Sequence, residues 1–168
     1  MRALLPHFIF GICDSCVALY AYKALFASLP SNTGIAFVIF PQLHPTANSQ
    51  LAQILSPHTK MPVMLASTAM PIRANHVYVI PQNADLLIES YTFKVVSPRT
   101  SRTQVDLFLT SLAEAMGARA VGIILSGYDD EGTAGGKHNK ATGGKTFAKD
   151  RSDEVEVMHI SAQEYGGG

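Results

Sequence analysis

"HFIFGICDSCVALYAYKALF" (residues 7–26) decides the fold. It opens on a short apolar run, "HFIFGI" (7–12), bounded by Pro6 on one side and the polar pair Asp14-Ser15 on the other, the pattern of a buried parallel strand. Residues 17–28 then place Leu19, Tyr22, Leu25 and Phe26 at helical spacing and stop before Pro30. Ser15 therefore stands at the corner where a strand turns into a helix. A serine there has the placement of a nucleophile, provided a base and an acid stand beside it.

The pattern continues outward. "GIAFVIF" (34–40) reads as a second strand, stopped by Pro41. Residues 48–55 read as a short helix with Leu51, Ile54 and Leu55 on one face, and "MPVML" (61–65) as a third strand. The middle changes character: "HVYVIP", "DLLIE" and "TFKVVS" are short β runs separated by Gln82-Asn83 and Ser90-Tyr91, which predicts antiparallel hairpins. "VDLFLTSLAEAMG" (105–117) is an amphipathic helix with Val105, Phe108, Leu109, Leu112 and Met116 on one face and Gly117 as its cap. "AVGIILSG" (120–127) is a strongly apolar strand, and "KTFAKD" (145–150) is predicted to be the last one. The sum is an open α/β sheet, mostly parallel, with an inserted antiparallel element. Ligand sites in such sheets lie at the carboxyl ends of the strands.

Composition narrows the function classes. The chain has 168 residues, 47% of them hydrophobic and 15% charged, enough for one domain with a sizeable core. We read residues 1–164 as that single domain and 165–168 as a glycine-rich tail. Thirteen Lys and Arg balance thirteen Asp and Glu, so no global field favours nucleic acid or an anionic membrane. The basic stretches 99–102 and 137–149 lack the interleaved aromatics of a nucleic-acid groove. No apolar stretch approaches the roughly 20 residues of a membrane span, and the apolar start is broken by Pro6 and His7, unlike a signal peptide. Cys13 and Cys16 form a Cys-x-x-Cys, but no second pair completes a zinc site, so two buried thiols in a cytoplasmic protein are expected. No metal and no cofactor are predicted.

Three loops follow apolar strands and carry the chemistry. They hold Ser15; Gln42 and His44; and Asp129, Asp130 and Glu131. Serine, histidine and carboxylate at one sheet edge are the material of nucleophilic acyl transfer, in which a base takes the serine proton and an acid holds the base in its tautomer.

These segments resemble the catalytic domain of the chemotaxis-type protein-glutamate methylesterases, the CheB family, and most closely the version fused to CheR-type methyltransferases. The resemblance rests on "GI-x-x-S" with Leu19 (11–19), "FV" with "L-x-P" (37–45), "HTKMPV" (58–63) and "MPIRANHVYVIPQNADL" (70–86). It continues in "VDLFLTSLAEAMGARAVGIILSG" (105–127), "GT" (132–133) and "GGKTFAKD" (143–150). The resemblance implies a three-layer, doubly wound, largely parallel sheet. It also implies hydrolysis of glutamyl methyl esters on chemoreceptor helices, with deamidation of glutamines in some members, by Ser, His and Asp without a cofactor. The partners it implies are methyl-accepting chemoreceptor helices, with a receiver domain or a methyltransferase as further candidates. His58 and His76 fall at scaffold positions, expected to be hydrogen-bonded.

Carried over by position, the family's serine is Ser15, its histidine position holds Gln42, and its aspartate position holds Glu131. Val17 and Ala18 replace two glycines after the serine, and Tyr128-Asp129 stand in the loop that forms the oxyanion site. Glutamate keeps the charge of aspartate, but an amide has no titratable nitrogen near neutral pH and cannot take and return the serine proton. His44 lies two residues from Gln42. In an extended segment the two face the same way but stand roughly 6 to 7 Å apart, whereas a base must come within about 3 Å of the serine. Three readings stay open at this point: a methylesterase with a degraded triad, a catalytically inactive binding module in chemotaxis-type signalling, and a small-substrate serine esterase using His44.

Overall fold

The computed structural model describes residues 4–14, 19–41, 48–100, 104–125, 145–148 and 154–160. Its main sheet has seven strands in the order β3-β4-β2-β1-β7-β9-β8. The central pair is β1 (Phe8–Asp14) and β2 (Ile35–Phe40), joined through helix α1 (Leu19–Ser28). Helix α2 (Asn48–Leu55) leads to β3 (Val63–Leu65) at one margin, and β4 (Val77–Val79) fits between β3 and β2. After the hairpin β5 (Asp85–Glu89) and β6 (Thr92–Val96), helix α3 (Gln104–Met116) returns the chain to β7 (Ala120–Leu125) on the other side of β1. Strands β3, β4, β2, β1 and β7 are all parallel to their neighbours in that run.

Alternation along the strands builds two cores. Ile9, Val38, Tyr78 and Ala120 point to one face, where they meet Phe108, Leu109 and Leu112 of α3 and Leu86, Ile88 and Phe93 of the hairpin. Ile12, Phe37, Ile39, Val77 and Val79 point to the other, where they meet Tyr22 and Phe26 of α1 and Leu51 and Leu55 of α2. The result is the doubly wound, three-layer arrangement expected from sequence, with, among the described residues, a helix and a hairpin on one side and two helices on the other. A 13-residue helix such as α3 is marginal alone. Its stability comes from Val105, Phe108, Leu109, Leu112 and Met116, all buried, each worth about 1.5–3 kcal/mol on removal from water. Gly11 lets it sit this close: a Cβ there would lie 2.7 Å from Phe108 Cε2 and 3.3 Å from Leu112 Cδ2.

Two expectations are corrected. "HVYVIP" does not form a hairpin; its core, β4, is a fully buried parallel strand of the main sheet. The hairpin expectation rests on the turn-like Gln82-Asn83 that follows "HVYVIP", whereas the chain crosses from β3 to β4 without a helix. Instead that connection lies against the β6 side of the real hairpin. Ala69 N donates to Phe93 O (2.8 Å), Ile72 N to Tyr91 O (2.8 Å) and Phe93 N to Met70 O (3.1 Å). "DLLIE" and "TFKVV" do pair antiparallel, closed by Ser90 (φ 49°) and Tyr91 (φ 62°) in the left-handed region that a tight hairpin turn requires. The second correction concerns the last strand. β8 (Lys145–Ala148) is followed by β9 (Glu154–Ile160), which pairs antiparallel with both β7 and β8. Its first four residues, "EVEV", alternate polar and apolar, the pattern of a half-buried antiparallel strand.

Candidate functional site

The strand ends define the candidate site. Cys13 is level with Phe40 on one side and Ile124 on the other, and Asp14 is level with Leu125. β1, β2 and β7 therefore finish together at the carboxyl edge, and the chain leaves them into residues 15, 41 and 126. The strand order reverses at β1, since β2 lies on one side and β7, much later in the chain, on the other. That reversal is where open α/β sheets form their crevice. Ser15, Gln42, His44 and Glu131 themselves lie outside the described residues, as do Val17, Ala18, Tyr128, Asp129 and Asp130.

Beneath the edge the floor is closed. Phe40, the last residue of β2, is 2% exposed, and its ring centroid lies 4.4 Å from that of Phe108, one turn into α3. Cys13 is buried in the same core. α3 thus begins at the edge where Ser15 and Gln42 follow in sequence.

β4 points the same way, so residues 80–84 also leave at this edge. There Asp85 anchors the approach to α3. It is 2% exposed, and its Oδ2 accepts from Thr100 N (3.0 Å) and Thr100 Oγ1 (3.1 Å). Arg99 N donates to Asn83 O at 3.0 Å, Ser97 Oγ donates to the same carbonyl at 3.3 Å, and the Gln104 side-chain amide donates to Ala84 O. These bonds fasten residues 97–100 to 83–85 and fix one wall of the carboxyl edge. The sequence reading missed Asp85, taking "DLLIE" only as a strand. Its signal was a carboxylate directly before three apolar residues, Leu86-Leu87-Ile88, where a buried polar group needs partners.

The histidines at scaffold positions part ways. His76 Nδ1 donates to Ala74 O at 2.8 Å, and the ring stacks on Tyr78, 6.1 Å between centroids and 15° between planes. His58 is instead exposed, at the end of a short helical turn, Ser56–His58. Tyr78 is 1% exposed; its hydroxyl accepts from Arg73 N (2.9 Å) and donates to Pro71 O (3.2 Å). Burial pushes the Tyr78 phenol up, against a smaller opposing pull from Arg73. Among the described residues, no group of three or more His, Cys, Asp and Glu is placed to hold a metal ion. No described helix is long and apolar enough to cross a membrane.

Comparison with known proteins places this geometry. The family model for the CheB methylesterase matches residues 10–167. A 104.1 kDa protein of Rhodobacter capsulatus is 35% identical over 106 residues, which are 61% of this chain and 11% of that protein. Protein-glutamate methylesterase/protein-glutamine glutaminase 3 of Paramagnetospirillum magneticum is 29% identical over 139 residues, 80% of this chain and 39% of that protein. The chain thus spans well under half the length of either relative. The crystal structure of the Thermotoga maritima CheB methylesterase catalytic domain superposes with a TM-score of 0.72 at 20% identity, covering 95% of this chain and 87% of that one. At that identity the likeness speaks for the fold. Taken with the family match over nearly the whole chain, these findings place the chain in the CheB methylesterase family.

Proposed function

We propose that residues 1–164 form one protein-glutamate methylesterase-type domain whose nucleophile is Ser15, whose acid is Glu131, and whose base position is held by Gln42. The substrate on this reading is a glutamyl methyl ester on a methyl-accepting chemoreceptor helix, with deamidation of glutamine as the related reaction. The setting is cytoplasmic, with a receiver domain or a CheR-type methyltransferase as partner. Ser15 Oγ attacks the side-chain carbonyl, methanol leaves, and water releases the acyl group from the serine. One observation carries this reading: β1, β2 and β7 end level at one edge, and the three triad positions follow those three strands in sequence.

Gln42 is what favours a second reading, a binding module that keeps the fold without turnover. An amide cannot act as general base, so Ser15 should be weakly nucleophilic at neutral pH. Fluorophosphonate labelling tests this. We expect slow, substoichiometric labelling of Ser15 in the parent chain. Rapid, stoichiometric labelling lost in Ser15→Ala would show an activated serine and overturn the degraded-triad reading. Its further loss in His44→Ala would assign the base to His44.

A further inference from the structure

Asp85 is a buried carboxylate whose bonds go to an exposed segment. Its Oδ2 accepts from both the backbone N–H and the hydroxyl of Thr100, while residues 97–100 are all exposed. The core beside it is packed without these bonds: Leu86, Ile88 and Phe93 of the hairpin meet Phe108, Leu109 and Leu112 of α3. A buried carboxylate is costly unless bonded, and what its bonds secure here is the position of residues 97–100.

That segment stands beside the exit of β2. Ile80 N donates to Ile39 O at 3.1 Å, so the chain leaving β4 starts level with the end of β2, about 4.8 Å from it. Asn83, in the left-handed region at φ 52°, turns the chain and offers its carbonyl to Arg99 N and Ser97 Oγ. At the start of α3 the Gln104 side chain is bonded to Ala84 O, and one turn further on Phe108 packs on Phe40. Residues 97–100 are thereby fixed between the exit of β4 and the end of β2, the strand end that Gln42 follows by two residues.

An α-helix with its side chains is about 10–12 Å across. Two strand spacings, about 10 Å, separate β1 from β4. A helix that presents one side chain to a serine following β1 therefore overlies β2 and rests against whatever rises above β4. We propose that residues 97–100 form the docking rim for the substrate helix, with Asp85 as the positioning residue that holds the rim in place. The inference rests on the methylesterase reading above and adds where the helix is gripped. The rim offers the exposed Pro98 and Arg99, with exposed Gln82 beside them. A rim that is already fixed loses less on binding than one that must be ordered.

The test measures the affinity of a fluorescein-labelled, methylated chemoreceptor fragment by anisotropy, in the Ser15→Ala chain so that no acyl group builds up. Adding Asp85→Ala should weaken binding at least about tenfold. Thr100→Val removes only the hydroxyl bond, at an exposed position, and should weaken it about threefold; this variant decides the matter if Asp85→Ala does not fold. Asp85→Asn should bind within about threefold of the Ser15→Ala chain, because an amide can accept from Thr100 N and donate to Thr100 Oγ1. Phe26→Leu, in the opposite core, lowers stability without touching the rim and should leave the affinity unchanged. Unaltered binding in Asp85→Ala and Thr100→Val, or an equal loss in Phe26→Leu, would overturn the inference and leave the functional reading standing. No binding by the Ser15→Ala chain itself would overturn both.

Discussion

At the scale of single residues, Tyr78 carries more of the fold than its place in a short strand implies. It is buried, packs edge-on against Phe93 with ring centroids 5.0 Å apart, and bridges Arg73 N and Pro71 O through one hydroxyl. That hydroxyl ties the β3–β4 connection to the sheet. Tyr78→Phe should cost about 1–3 kcal/mol at neutral pH, because two polar groups lose a partner. Burial raises the phenol above its ordinary value of 10.0, so the folded chain keeps this proton when the unfolded chain has begun to lose it. Stability contributed through this group is then full below pH 10.0 and falls as pH rises from there through the folded-state value. Urea unfolding at neutral and alkaline pH should show a steeper alkaline loss in the parent than in Tyr78→Phe; equal slopes would contradict the assignment. Nothing in the sequence singled Tyr78 out beyond its motif, since its role depends on residues brought back to it by the fold.

At the scale of elements, α3 and the strand beneath it were legible because both signals are strong. The five apolar positions of α3 fall on one face and are all buried, and "FIFGI" reads as strand by composition alone. Gly11 joins them. A Cβ at this position meets Phe108 at 2.7 Å, and that ring is itself held against Phe40. Gly11→Ala should therefore destabilise by about 1–3 kcal/mol as an overpacking change, although alanine is ordinarily preferred to glycine within a strand by about 0.5–1 kcal/mol. The urea midpoint should drop without a change in slope, and Phe108→Leu in the same chain should restore part of it. An unchanged midpoint would mean that α3 is not packed this tightly. β4 was misassigned for a physical reason: a three-residue strand carries too little pattern to show whether its partners are parallel. β9 had the pattern, an alternation of Glu and Val, yet it followed what looked like the end of the fold.

At the scale of the whole molecule, two cores on opposite faces fix the sheet, and the sheet fixes where the loops leave it. The fold class was readable because hydrophobic periodicity sums over many residues. The candidate site was readable only as residue types at positions matching a family pattern, because triad geometry is set by loops whose conformation no periodicity encodes. Family membership now stands on the match over residues 10–167, and the open question is whether the serine edge turns over. On the proposed triad, Gln42 decides that. On that triad, a histidine there would titrate near neutrality, with Glu131 as the carboxylate that holds its tautomer. General-base help is worth about 10² to 10⁴ in rate; the lower end is expected, because the resemblance sets Val17, Ala18 and Asp129 at positions where the family carries glycines. The most direct measurement is methanol release from a methylated chemoreceptor fragment by the parent, by Gln42→His, and by Gln42→His with Ser15→Ala. The account predicts a rise of about a hundredfold or less in Gln42→His that disappears when Ser15 is removed. A rise that survives the loss of Ser15, or no rise at all, would contradict it.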